Sequence, residues 1–191
     1  MSKLDSDIKS ITKHLTQKQK DFDRVMALVR DIIRNSAQAI TMLHNNDAKS
    51  ASKIVSTTLS MVKELKKFAP AFAHNAKQAY QEYAEARILL GIKLNHEIPT
   101  CAETGVDQES YLMGLMDVMG ELKREVFESL GEGRVDEADE YFRSMRTIYD
   151  STRSVRFAEA VLNGFRRKQD VARIQLESAG SEILSFKPKK R

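Results

Sequence analysis

The chain has little of what staples a small fold or threads a membrane. Its 191 residues include one cysteine, Cys101, so no disulfide can form within the chain. Three prolines, eight glycines and no tryptophan leave few breaks and turn residues, the usage of long helices rather than of sheets. No apolar run approaches the ~20 residues that a bilayer span needs. The cleanest, Ile88-Leu89-Leu90, is broken by Gly91 and Lys93. Met1 to Asp5 carry neither an apolar signal core nor an Arg-rich transit pattern, so a cytoplasmic location and no membrane partner are expected. Charge of either sign is not in large excess: 31 Lys and Arg stand against 27 Asp and Glu, a net +4. That balance permits nucleic acid as a partner and excludes a histone-like polycation.

What is present is helical patterning throughout, which predicts an all-α, single-domain bundle of about six helices. The helical domain is expected over residues 1–185 and a basic tail over 186–191, with Lys187, Lys189, Lys190 and Arg191. Leu4, Ile8, Ile11, Leu15, Phe22, Val25, Val29, Ile32, Ser36, Ala39 and Leu43 recur at steps of four and three, interrupted only near Lys18. They predict one long first helix. At roughly 1.5 Å per residue it spans on the order of 60 Å, more than a compact domain of this size requires. Part of its stripe is therefore expected to pack on another subunit.

Asp47 can cap a second helix carrying Ala51, Ile54, Val55, Thr58, Val62 and Leu65, which stops before Pro70. A third helix is expected from about Ala71 to Lys93. The stretch from Leu94 to Val106, with Pro99, Thr104 and Gly105, lacks a helical period and is the main internal loop. Asp107 caps a fourth helix from Gln108 to Leu130, closed by Gly131-Glu132-Gly133. Val135 to Tyr149 line a further helix, and Phe157, Val161, Phe165, Val171, Ile174, Leu176 and Ile183 a last one, interrupted near Ser151 to Arg156.

Two of these helices carry acids that call for chemistry. In the third, Glu82 and Glu85 lie at i and i+3, on one face and about 4.5 Å apart along the axis. Taken alone, such a pair is usually a solvated helix face. The fourth is apolar almost all round, through Leu112, Met113, Leu115, Met116, Val118 and Met119, yet Asp117 sits in its middle. That carboxylate is expected to be desolvated, with Gly114 and Gly120 on its face leaving room for something and Glu121 one turn on. Its own helix offers a second acid rather than a base, so a base would have to come from elsewhere. If the two helices pack side by side, Glu82, Glu85, Asp117 and Glu121 converge on one small volume. An all-oxygen set of this kind suits Mg²⁺ or Mn²⁺ and phosphoryl chemistry on nucleic acid.

A ferritin-like di-iron site is excluded, because none of the four histidines stands three residues after a Glu. His14, His44, His74 and His96 are read as ordinary surface or core residues, and Cys101 as an incidental loop thiol.

Gln-Glu-Tyr-x-Glu-Ala at Gln81 to Ala86, followed by Tyr-Leu-x-Gly-x-x-Asp-x-x-Gly-Glu-Leu-x-Arg at Tyr111 to Arg124, resembles the two signature segments of the translin/Trax family. The Trax (translin-associated factor X) side of the family is the nearer. Fainter likeness extends from the first helix to Gly164-Phe165-Arg166-Arg167-Lys168-Gln169-Asp170, and the short loop at Leu94 to Val106 suggests a prokaryotic, archaeal version. The resemblance implies a translin-like α-superhelical fold of about seven helices. It also implies Glu82, Glu85, Asp117 and Glu121 as catalytic metal ligands, Mg²⁺-dependent endonucleolytic cleavage of single-stranded RNA, and a homo-oligomer, an octamer, with inward-facing sites. DNA stays open as a second polymer, and a translin partner is not indicated. Arg87, Lys123 and Arg124 lie near the acids and are candidates for phosphate contacts or for surface ion pairs. Tyr83 and Tyr111 could stack on bases but are better read as core.

Two other readings remain: a translin-like module that binds RNA or DNA without cutting it, and a coiled-coil scaffold. The acids speak against the first, since concentrating negative charge does nothing for a surface that only holds phosphates. The scaffold predicts no metal dependence of any activity.

Overall fold

A computed structural model describes residues 2–186; the basic tail expected at Lys187 to Arg191 lies outside the described residues. Among the described residues there are helices and no strands, in the order α1 (Lys3–His44), α2 (Ala48–Leu65), a 3₁₀ turn (Lys66–Phe68), α3 (Ala69–Asn95), α4 (Cys101–Thr104), α5 (Gln108–Gly131), α6 (Val135–Thr152) and α7 (Phe165–Phe186). None is long and apolar enough to cross a membrane.

The stripe read from the first segment divides into two halves. Val25, Val29, Ile32, Ser36, Ala39 and Leu43 are buried, joined by Leu28. Leu4, Ile8, Ile11 and Leu15 are 52 to 66% exposed, and every described residue through Lys20 faces solvent. The inner half of α1 thus packs on α2 and α3, while the outer half projects.

Asp47 caps α2 as its position predicts, accepting from the Ser50 amide at 3.0 Å. Pro70 falls in the first turn of α3, and Phe72 (φ −133°, ψ 28°) kinks that helix. Past the kink α3 is the centre of the molecule. Tyr83, Ala84, Ala86, Ile88, Leu89 and Ile92 are all at most 1% exposed, because α1 and α2 cover one side and α5 the other. Burying side chains of this size contributes roughly 1.5–3 kcal/mol each.

Two boundaries differ from the sequence reading. The loop after α3 contains the single helical turn α4, opened by a capping box in which Thr100 Oγ1 and the Glu103 carboxylate bond each other's backbone amides. Four residues are too few to show a period. The last segment does not resume as helix at Phe157. α6 runs on to Thr152, the chain is non-helical through Asn163, and Phe157 and Val161 are exposed. Gly164, at φ +75°, turns the chain into α7. α6 and α7 cover the remaining faces of α5.

Candidate metal centre on helices α3 and α5

The room left by the glycines of α5 is occupied. A Cβ placed on Gly114 would lie 2.8 Å from Ala84 Cβ and 3.1 Å from both Gln81 O and Glu85 N. Gly114 therefore lets α5 rest against the backbone of α3 at the turn that carries Glu82 and Glu85. Gly120 accommodates a side chain instead, with Gln175 Nε2 of α7 3.2 Å from its would-be Cβ. The close crossing is tied by Gln81, whose Nε2 donates to Asp117 Oδ2 at 2.5 Å.

Glu85 is the focus of the charge at this crossing. Burial, and then the Asp117, Glu82 and Glu121 carboxylates, push it up to about 8, and only Lys168 opposes them. Glu82 is also raised, by burial and by Asp117, against weaker lowering by Lys168 and Gln78. Asp117, Glu82 and Glu121 are thus near enough to act on Glu85, but no three of the four predicted acids bring ligand atoms within 4.8 Å of one another. Asp117 is less desolvated than its apolar helix suggested, with a quarter of its side chain exposed. It faces a groove of about 340 Å³ between α5 and α7, lined by Met116, Gly164, Arg167, Lys168, Val171 and Gln175. The base missing from its own helix arrives from α7: Lys168 Nζ donates to Asp117 Oδ1.

Glu121 meets a residue read as ordinary. His44, in the last turn of α1, bonds Glu121 Oε2 through Nε2 and Glu125 Oε1 through Nδ1, both at 2.6 Å, with 3% of its side chain exposed. The bonds to Glu121 and Glu125 outweigh burial and raise His44 to about 9, so the imidazole is cationic at neutral pH. Burial would raise Glu125, but His44 and Lys93 together hold its carboxyl below the ordinary range. Lys93 Nζ reaches Glu125 Oε2 and donates to the Leu43 carbonyl, each at 2.8 Å. Nothing in the sequence around His44 announces this role, because its partners lie 77 and 81 residues away.

His44, Glu125 and Glu128 also bring potential ligand atoms within 4.8 Å of one another. That group is a poor metal site. Both imidazole nitrogens already face carboxylates, Lys93 serves Glu125, and Arg124 holds Glu128 at 2.7 Å. Around Glu85 the cations are fewer: Lys168 serves Asp117 and His44 serves Glu121, while among the described residues Glu82 and Glu85 have no ion-pair partner.

The other predicted residues take varied places. Arg87 is half-buried two residues after Glu85, about half a turn round α3, and acts on Tyr83 and Glu103. Lys123 lies over the Phe127 ring at 5.1 Å, and Arg124 is exposed and paired with Glu128. Tyr83 is core, and Tyr111 donates its hydroxyl to the Pro99 carbonyl at 2.8 Å. Cys101 is half-buried at the start of α4, where burial, and then Asp107, raise its thiol.

Two packed helices crossing at a glycine, with half-buried carboxylates beside the contact, define an all-helical domain with an acid face. The Translin family model matches residues 79–179, a span that holds both helices, and the chain belongs to the Translin family. An uncharacterized protein of Methanocaldococcus jannaschii is 32% identical over 180 residues, covering 92% of this chain and 81% of the relative. Among solved structures, AfC3PO superposes with a TM-score of 0.83 at 22% identity, covering 94% of this chain and 96% of the other. A complex of AfC3PO with duplex RNA gives the same TM-score at 21% identity and the same coverage. Apo-NeC3PO gives 0.78 at 26% identity, covering 98% of each chain. The AfC3PO matches establish the shared fold.

Proposed function

We propose that the chain is a Trax-like, divalent-metal-dependent endoribonuclease working as a homo-oligomer, an octamer, with Glu82, Glu85, Asp117 and Glu121 as the metal-binding and catalytic set. The observation that carries this reading is the position of Glu85, a half-buried carboxyl with three other carboxyls acting on it. Among the described residues neither it nor Glu82 has an ion-pair partner. A domain gains no stability from such an arrangement, because like charges in a low-dielectric site repel. An ion of charge +2 relieves that repulsion, and oxygen-only donors suit Mg²⁺ or Mn²⁺. When bound, the ion supplies Lewis-acid charge and an activated water for displacement at phosphorus.

The chain's own groups do the rest. Glu85 would lose its proton to solvent on holding the ion, Gln81 bonds one oxygen of Asp117, and His44 bonds Glu121. Arg87, Lys123 and Arg124 are the proposed phosphate contacts. RNA as the polymer is supported by the duplex RNA complex of AfC3PO and by the resemblance to Trax, which favours single strands.

A second reading is favoured by Lys168 and His44, which already supply cations to Asp117 and Glu121. An acid face balanced in this way fits a module that binds RNA without cutting it. The two readings separate in one experiment: labelled single-stranded and duplex RNA incubated with wild type and with Glu85→Ala, in Mg²⁺ or Mn²⁺ and in chelator. Chelator-sensitive cutting that disappears in Glu85→Ala supports the nuclease. Binding without cutting in both proteins supports the module, and cutting that survives in Glu85→Ala removes this residue from the site.

A further inference from the structure

Lys168 is placed with more care than a surface lysine needs. It lies in the first turn of α7 between two buried anchors, Phe165 and Gln169. Gln169 Nε2 donates to the Thr152 carbonyl at 2.7 Å, and its Oε1 accepts from Arg156 at 2.6 Å. These bonds fix the turn, which aims Nζ at Asp117 Oδ1, while Gln81 holds the other oxygen. Each oxygen of Asp117 thus accepts one bond, whereas among the described residues Glu85 and Glu82 beside it have no ion-pair partner. Lys168 keeps 28% of its side chain exposed and borders the groove that Arg167 also lines. An ammonium on a four-carbon stem can leave one oxygen and settle a few ångströms away in that groove.

A divalent ion on Asp117 repels an ammonium on the same carboxylate more strongly than the carboxylate attracts that ammonium, so loading favours the ion and loosens Lys168. We infer that Lys168 is the resident counter-ion of the acid face: it holds Asp117 in the metal-free protein, is displaced into the groove when the divalent ion binds, and there meets the RNA phosphate. This rests on the metal-site reading above. It makes Lys168 a competitor of the metal and a partner of the substrate, so its removal should move the two affinities in opposite directions.

The test uses the full chain with Lys168→Gln, Lys168→Met and Lys168→Arg, and Mn²⁺ binding measured by titration calorimetry. The Gln and Met variants should bind Mn²⁺ roughly fivefold or more tightly than wild type, and Arg, which keeps the charge, within about twofold of it. With a phosphorothioate RNA that resists cleavage, Lys168→Gln should weaken RNA binding in Mn²⁺ and leave it unchanged in chelator. If one variant fails to fold by circular dichroism, the other decides. Unchanged or weaker Mn²⁺ binding in a folded Gln or Met variant overturns the inference. If Glu85→Ala loses Mn²⁺ in that case, the metal site stands without Lys168. A wild type that binds no Mn²⁺, or a Glu85→Ala that binds it as well as wild type, overturns the site and the inference together.

Discussion

Gly114 of α5 and Ala84 of α3 stand so close that a methyl group on the glycine would lie 2.8 Å from the alanine Cβ. Backbone atoms of Gln81 and Glu85 close off the remaining space at 3.1 Å. Gly114→Ala gains about 1 kcal/mol of helix propensity and loses more to overpacking, for a net destabilisation of about 1–2 kcal/mol in urea unfolding. It should also weaken Mn²⁺ binding, since the helices that present the acids are forced apart. Gly131, with nothing within 4 Å of its would-be Cβ, is the control: Gly131→Ala should stabilise by up to ~1 kcal/mol. A neutral Gly114→Ala would show that the crossing is slack.

The His44 bridge makes stability depend on pH. Its folded value is about 9 against 6.5 for the free side chain, so its contribution is fully present below 6.5 and is lost as pH rises through 9. With the side chain 3% exposed, that difference corresponds to stability on the order of 3 kcal/mol. Denaturation midpoints from pH 6 to pH 10 should fall in wild type and fall less in His44→Gln, which starts lower. Parallel curves for the two proteins would assign the decline to other groups.

Glu85 acts in the same direction. A carboxyl whose folded value is about 8 against 4.5 binds its proton more tightly in the native state, so native stability declines as pH rises from 4.5 and the loss is complete above 8. Glu85→Gln should therefore be more stable than wild type at pH 8.5 in chelator, by several degrees in Tm. Saturating Mg²⁺ should stabilise wild type and leave the variant unmoved. A wild type indifferent to Mg²⁺ at this pH would count against the metal.

The outer stripe of α1 gives a prediction about assembly. Leu4, Ile8, Ile11 and Leu15 are exposed on a projecting helix, and a contiguous apolar stripe of this kind marks a contact surface. If the proposed oligomer is built on this stripe, Ile11→Asp with Leu15→Asp should yield a smaller species than wild type in analytical ultracentrifugation. An unchanged sedimentation coefficient would place the subunit contact elsewhere.

Much of the fold was legible because helices write their period into the chain. The stripe from Val25 to Leu43, the cap at Asp47 and the cap at Asp107 stand where the pattern put them. The single turn α4 has no period to show, although Thr100 and Glu103 carry a capping box. The segment through Phe157 and Val161 kept an apolar spacing that tertiary structure leaves exposed. Of the acid face, the carboxylates were readable as spacing on two helices. Their cations were not: Lys168 stood out only within the family-like stretch from Gly164 to Asp170, and His44 lies on a helix with no local acid to hint at its partners. Those pairings are made by the fold at long range, where one sequence alone is silent.

The first and last turns of α1 belong to different worlds, yet they are one rod. Leu15 and His44 are 29 residues apart, roughly 44 Å of continuous helix at 1.5 Å per residue. The near end is pinned: His44 grips Glu121 and Glu125, and Lys93 holds the Leu43 carbonyl. The far end carries the uncovered stripe. α1 is in effect a single strut, with an exposed apolar arm at one end and the imidazole that bonds Glu121 at the other.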